Sequence, residues 1–230
     1  MWHVSPSLDK EKNIRMNNEK PIYDLQIYRW DMRGKIINID DTFNYTPANN
    51  SGHPEFFDKV KLAYTHYFQD KDGNSTGQPS QRFQHYVDVA VMLTLSKMMA
   101  MGRKTDMSGG KHTDGTPRPF MYEEFKGSPS KDYETGYESR VLRIEFKSGE
   151  GMTSKQLQDG FYDIRFTKGP GKPSKTGAVE PAGDKSTQVS DNISIPVQSA
   201  MIGMETVNAY LHSKATMLLM QANKTVFGGR

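Results

Sequence analysis

The sequence predicts an α+β protein in which antiparallel sheet is combined with two or three helices. Three observations support this class. Aromatic and β-branched runs alternate with polar residues near 21–46 and 139–168, which is typical of hairpins. The last part of the chain carries apolar residues at helical spacing and predicts a C-terminal helix. The chain has 230 residues, 35 % of them hydrophobic, and can form a core although it contains no cysteine.

The N-terminal part of the chain predicts an arm, a hairpin and a helix. Residues 1–20 are polar without periodicity and predict a flexible arm, which leaves 21–230 as a single predicted α+β domain. Residues 21–46 predict a hairpin that turns at Arg33-Gly34. A proline followed by apolar residues at helical spacing predicts a helix over 54–69.

The middle of the chain is ambiguous. Valines and leucines between 87 and 95 alternate as in a buried strand, whereas the length and the Ala/Met/Leu content of 81–101 favour a helix. Both interpretations stay open, and the sequence slightly favours the helix. The Gly/Thr/Pro-rich stretch 104–119 is the predicted boundary if the domain is subdivided.

The C-terminal part predicts an antiparallel pair, a loop, a strand and a helix. Strands over 139–147 and 160–168 alternate apolar and polar residues. A Gly/Pro/Ser/Lys-rich stretch after Lys168 predicts a mobile loop, and a short strand follows near 192–197. The predicted C-terminal helix has one apolar stripe, formed by Met201, Met204, Val207, Leu211, Ala215, Leu218 and Leu219.

The polar side of the predicted strand 139–147 allows two functions. Glu145 and Lys147 have the E-x-K spacing of Mg²⁺-dependent PD-(D/E)-x-K nucleases, in which carboxylates hold the metal and lysine orients water. That pattern also requires an upstream Asp that follows Pro, but Asp132 is not directly preceded by Pro129. The nuclease therefore ranks third among the predicted functions.

The favoured prediction is a non-enzymatic protein that binds single-stranded DNA or RNA. The net charge is only +3, so affinity for a polyanion requires local clustering of cations. An outward sheet face combines cations with rings that stack on bases, and lysines of the following loop close over the strand. The predicted binding residues are Arg143, Lys147, Phe161 and Arg165 on that face, Lys168, Lys172 and Lys175 in the loop, and Tyr28 and Trp30 on the first hairpin.

From Tyr137 to Ala222 the order of elements resembles the sheet-plus-helix units of Whirly-like single-strand binders. The resemblance rests on strands with basic and aromatic outer faces, then "ISIPV", then a C-terminal helix, and not on a motif. It implies a single strand of DNA or RNA laid across the sheet, and an oligomer joined through helices. No residue role is carried over from that family.

No metal site or cofactor is predicted. Without cysteine, and with no H-E-x-x-H or H-x-H pair among the six histidines, a zinc site would need ligands from distant segments. The loop around Asp70 resembles the start of an EF-hand, but it lacks the glycine and the final glutamate at their required positions.

The competing prediction is a structural subunit of a larger assembly, such as a virion or a secretion component. Long polar connections, an N-terminal arm and Met-rich helices suit such a subunit, and the same helices predict a homo-oligomer. No stretch has the apolar length of a signal peptide or a membrane span, so the sequence predicts a cytoplasmic protein without membrane contact.

Overall fold

The structure is a computed structural model that describes residues 25–46, 55–106, 108–175, 178–183 and 185–227. It contains two antiparallel sheets, a small strand pair and two helices, which confirms the predicted α+β class. The predicted N-terminal arm lies outside the described residues. None of the helices in the described ranges combines the length and apolar composition needed to span a bilayer.

The first sheet has four strands in the order β1-β2-β5-β6, and the chain between β2 and β5 forms the small pair β3–β4. Its hairpin β1–β2 turns at Arg33 and Gly34, whose φ angles of 43° and 77° are those of a tight hairpin turn. The predicted first hairpin is therefore confirmed from residue 25 onward. The strands are β1 Leu25–Met32, β2 Lys35–Asp41, β3 Asn44–Thr46, β4 Glu55–Phe57, β5 Lys59–Gln69 and β6 Ser75–Asp88.

The predicted helix over 54–69 is wrong, because this segment forms β4 and β5. Val60, Leu62 and Tyr64 are all buried, and this alternation has period two. The helical interpretation rests on the spacing of the larger apolar residues, and Leu62 does not fit that spacing. Strand β5 is the third of the four strands, with β2 and β6 as neighbours that satisfy its backbone groups.

The ambiguous segment 81–101 contains both predicted structures in succession. Strand β6 continues to Asp88, and helix α1 then spans Val89–Ala100. The alternation of Phe83, His85 and Val87 therefore belongs to a strand, and the Met-rich part belongs to a helix. The prediction of one continuous helix is wrong up to residue 88, because two periodicities meet without a turn residue between them.

The second sheet has five strands, in which β9 and β8 are central, β7 is an edge, and β10 and β11 both pair with β9. The predicted pair 139–147 and 160–168 is confirmed as β8 and β9, and the predicted short strand as β11. The strands are β7 Met121–Pro129, β8 Tyr137–Lys147, β9 Phe161–Pro173, β10 Val179–Pro181 and β11 Val189–Pro196.

The predicted mobile loop after Lys168 is wrong in its first part, because β9 continues to Pro173 and pairs with β10. The glycines that suggest a loop are sites of close approach instead. A Cβ atom on Gly171 would come within 2.5 Å of the Val179 side chain, and one on Gly127 within 2.4 Å. Val179 therefore packs on a part of the second sheet where glycines leave room for it.

The C-terminal helix is confirmed as α2, Val197–Phe227. Met204, Val207, Leu211 and Leu218 of the predicted stripe are buried, whereas Met201 and Leu219 are exposed. Helix α2 packs on β1 at Gly203, where a Cβ atom would lie 2.4 Å from the Trp30 ring. It also contacts α1, since the Asn208 amide donates to Ser96 Oγ at 2.9 Å.

The two sheets meet at a cluster of three aromatic rings. Phe166 of β9 stacks on Tyr64 at 5.3 Å between ring centres and on Phe83 at 6.1 Å. Beside it Asp191 of β11 accepts hydrogen bonds from Lys35 Nζ at 2.9 Å and pairs with His66 Nδ1 at 2.7 Å. Burial works to raise the pKa of Asp191, but these bonds lower it below its ordinary value.

Replacing Phe166 by Ala should lower the free energy of unfolding by about 3–5 kcal/mol, because it opens a cavity between the two sheets. Urea unfolding of the variant and the parent measures the difference. Phe68→Ala is the matched control, since that ring is 56 % exposed, and it should cost less than about 0.5 kcal/mol. Equal losses for both variants would contradict this account of the core.

Candidate functional site

The structure brings Arg143, Lys147 and Arg165 together on the outer face of the second sheet, as predicted. Arg143 lies directly opposite Arg165, and Lys147 lies opposite Phe161. The three cationic side chains are 39–47 % exposed.

Carboxylates on the same face pair with each of these cations. Asp163 accepts from Lys147 Nζ at 3.3 Å and from Arg165 Nη2 at 3.4 Å. Arg143 lies 3.5 Å from Glu145 and 3.9 Å from Glu123. Three cations therefore face three carboxylates, and the outer face has little net field to attract phosphates.

The E-x-K pair belongs to this ion-pair network. Glu145 lies directly opposite Asp163, which places a second carboxylate beside it. Both oxygens of Asp163 already accept protein donors, however, since Asn192 Nδ2 bonds to Oδ1 and the two cations contact Oδ2. Among the described residues no group of three or more acidic or histidine side chains is arranged to hold a metal ion.

Two of the three predicted stacking rings are buried, and the third is half-buried. Trp30 is 4 % exposed beneath α2 and donates from Nε1 to the Ser199 carbonyl at 3.3 Å. Tyr28 is half-buried against Trp30, with 4.8 Å between ring centres. Phe161 was expected on the outward side, but it is only 7 % exposed. In these positions Trp30 and Phe161 have no free ring face for a base.

The predicted lysines of the loop lie along β9 and just beyond it. Lys168 and Lys172 are strand residues separated by an even number of positions, so their side chains lie on the same face, and Lys175 lies in the turn after the strand. Lys172 is opposite Glu180 of β10. Lys168 reaches back towards the first sheet, where its Nζ lies 5.4 Å from the centre of the Phe83 ring.

A groove of about 220 Å³ separates the edge strand β6 from β8 and β9. Strand β6 contributes Arg82 and Gln84 to its rim and Phe83 and His85 to its floor, since successive side chains alternate. The second sheet contributes Glu138, Arg140, Val141, Phe166, Thr167 and Lys168. The groove is thus built from two sheets, which the ring cluster joins at Phe83 and Phe166.

Three cations lie side by side next to this groove. Lys126 of β7 is opposite Arg140 of β8, and Arg140 is opposite Lys168 of β9. Residues directly opposite in antiparallel strands share one face, so the three form a row across the sheet. We name Lys126, Arg140 and Lys168 the cationic row. Adjacent strands are about 4.8 Å apart, so the row spans about 10 Å.

The cations of the row have fewer contacts with carboxylates from β7 to β9. Lys126 lies 2.9 Å from Glu124 and 3.6 Å from Asp88. The Arg140 Nε atom is 3.5 Å from Glu138 and makes no hydrogen bond. Lys168 donates to the Arg82 carbonyl at 3.4 Å, and no described carboxylate lies within ion-pair distance of it.

Sequence reasoning missed Lys126, Arg140 and Arg82. Arg140 has the same parity as Leu142 and Ile144, which are buried, so it is a cation on the inward side of a strand. A cation at an inward position of a strand is the sequence feature that could have identified Arg140 as a functional residue. No comparable sequence feature identifies Lys126 or Arg82, because the sequence analysis does not predict β7 and assigns part of β6 to a helix.

No family model matches the chain, and no curated protein is similar to it in sequence. Solved structures to which the chain is similar include three plant proteins. WHY1 from Arabidopsis thaliana is 13 % identical with a TM-score of 0.44, over 85 % of this chain and 91 % of that one. WHY3 from the same plant is 11 % identical with a TM-score of 0.49, over 89 % and 96 %.

The third structure is the plant transcriptional regulator PBF-2, 13 % identical with a TM-score of 0.42, over 83 % of this chain and 92 % of that one. At these TM-scores the likeness carries no argument about function.

Glu124 makes the environment of the cationic row sensitive to acid. It accepts from Lys126 and pairs with the buried His85 at 3.0 Å. Burial works to raise the pKa of Glu124, but the bonds from His85 and Lys126 lower it below its ordinary value. A carboxyl with a lowered folded pKa stabilises the fold above its unfolded pKa, about 4.3, and this contribution is lost as the pH falls through the folded value.

Glu124→Gln should therefore be less stable than the parent at pH 7, and the difference should shrink below about pH 4 as the parent's carboxylate is protonated. Urea unfolding across this pH range measures it. Glu134→Gln, in the exposed turn between β7 and β8, is the control and should follow the parent throughout. A difference between Glu124→Gln and the parent that stays constant with pH would contradict the role given to this carboxylate.

Proposed function

We propose that this protein binds single-stranded nucleic acid, DNA or RNA, in the groove beside the cationic row, without catalysing a reaction. The observation that carries the proposal is the row itself, in which Lys126, Arg140 and Lys168 lie opposite one another on three adjacent strands. A cytoplasmic location and the lack of a cofactor remain predictions.

Like charges directly opposite each other destabilise a sheet. Lys126 and Arg140 have carboxylate neighbours, but Lys168 has none among the described residues, so its end of the row has a cost that a bound anion offsets. A row about 10 Å long suits consecutive phosphates of one chain better than a single small anion. Lys172 and Lys175 continue the positive charge along β9 and its turn, so a strand leaving the row meets further cations.

The position of the row favours a single strand over a duplex. Arg140 and Lys168 form part of the second-sheet wall of the groove, and β6 forms the opposite wall. A flexible single strand can enter between these walls, whereas a duplex would meet Arg82 at the rim first. The floor rings Phe83 and Phe166 are buried, so the proposed contacts are to phosphates and not to bases.

The outer face with Arg143, Lys147 and Arg165 remains a second proposed location. Binding there requires phosphates to replace the carboxylates that now contact these side chains. The two faces can be compared directly, because each offers a pair of cations directly opposite on β8 and β9, Arg140 with Lys168 and Arg143 with Arg165.

Arg140→Gln/Lys168→Gln should weaken binding to a labelled single-stranded oligonucleotide at least about tenfold at low salt, since charge-assisted phosphate contacts are lost. The slope of log K against log salt should fall by about 1.4, at about 0.7 per lost contact. Arg143→Gln/Arg165→Gln should change the affinity by less than about threefold, because both of its cations have carboxylate neighbours, whereas Lys168 of the first variant has none among the described residues. Fluorescence anisotropy measures both.

Urea unfolding of both variants controls for damage to the fold. A larger loss of affinity in the Arg143/Arg165 variant would move the site to the outer face. A parent protein without measurable affinity for single strands at low salt would contradict the proposed function itself.

Exposed apolar residues on the helices favour the competing proposal that chains associate. Most of the large exposed apolar side chains of α2 and of the residue after α1 are methionines, which adapt to a partner surface. They are Met101, Met201, Ile202, Met217, Leu219 and Met220. The predicted homo-oligomer through these helices therefore stays part of the proposal, as does a structural role in an assembly.

Replacing Met217, Leu219 and Met220 together by Gln should lower the particle mass at least twofold, because the apolar surface that would be buried between chains becomes polar. Light scattering without nucleic acid measures the mass. Phe68→Gln, an exposed ring on a different element, should leave the mass unchanged. An unchanged mass in the triple variant would contradict association through α2.

A further inference from the structure

Strand β7 is an open edge of the second sheet. It is nine residues long and pairs with β8 on one side. Among the described residues no backbone hydrogen bond reaches its other side. Strands of this length with free backbone groups are templates for another strand.

The side chains of β7 are not arranged to repel a partner. Phe125 and Met121 are exposed on the outer face at 42 % and 54 %, with Glu123 between them. On the inner face Glu124 and Lys126 alternate with opposite charges. The strand therefore offers apolar surface on one face and paired charges of both signs on the other.

We propose that a second copy of this chain docks on β7 edge to edge, antiparallel, around a two-fold axis at Phe125. In that register Phe125 faces Phe125 of the other copy, and aromatic pairs across strands are favourable. Glu124 faces Lys126 in both directions, so each charge gains an opposite partner. Glu123 faces Gly127, which carries no charge. The two five-stranded sheets become one continuous sheet.

Charge selects this register over its neighbours. Axes at Glu123 or Glu124 set two glutamates against each other, and an axis at Lys126 sets two lysines against each other. Axes between two residues would pair an outward side chain with an inward one, which the pleat forbids. The second copy is therefore the partner that the charges of β7 complement when the axis lies at Phe125.

The absence of cysteine from the chain allows a direct test of the register. With Phe125→Cys the two new thiols lie opposite each other, and Cα atoms about 4.5–5.5 Å apart are within the range of a disulfide. Mild oxidation should convert the variant to a covalent dimer. Glu123→Cys is the matched control, since its two thiols would be about 13 Å apart along the strands and should not cross-link.

Phe125→Arg tests the interface through the particle mass. In a dimer it places two cations opposite each other at the two-fold axis, and the substituted side chain is exposed in the single chain. In the background with Met217, Leu219 and Met220 replaced, light scattering should show a twofold lower mass for Phe125→Arg than for the same background with Phe68→Arg. Equal masses, or cross-linking at position 123 that matches or exceeds that at position 125, would overturn the proposal.

Discussion

The stacking of Phe166 on Tyr64 and Phe83 is the contact on which the rest of the molecule depends. It joins one ring from β9 to two rings from β5 and β6, and so fixes the second sheet against the edge of the first. Phe83 also lies under Lys168. The same contact that fills the core therefore sets the width of the groove and the position of its least neutralised cation.

The two faces of the second sheet differ in how their cations contact carboxylates. On the outer face each cation has a carboxylate neighbour, and Asp163 is nearly buried among its partners. On the inner face three cations are aligned across the strands, and neutralisation weakens from Lys126 to Lys168. Lys126 and Arg140 also have carboxylate neighbours, so Lys168 is the cation of the row that is available to an anionic ligand in the groove. This contrast is the reason for placing the proposed site inside and not outside.

Part of this arrangement was predictable. The alternation in 139–168 is strict enough to identify β8 and β9 and to place Leu142, Ile144, Ile164 and Phe166 in the core. The apolar stripe of the last helix was identifiable for the same reason. The segment 54–69 was not, because its large residues satisfy helical spacing as well as alternation, and only pairing with β2 and β6 decides between them. Trp30 shows the same limit, since its burial depends on Gly203, which is distant in sequence.

The sequence by itself determined the α+β class, the central hairpin of the second sheet, the C-terminal helix and the common side of Arg143 and Lys147 on one strand, since these follow from local periodicity. Only the tertiary structure decided which of these charges are neutralised and which face a groove. Arg140 and Lys168 meet through strand register, and Phe83 reaches Lys168 through the packing of two sheets. Register and packing bring together residues far apart in the chain, and the local sequence pattern carries no record of them.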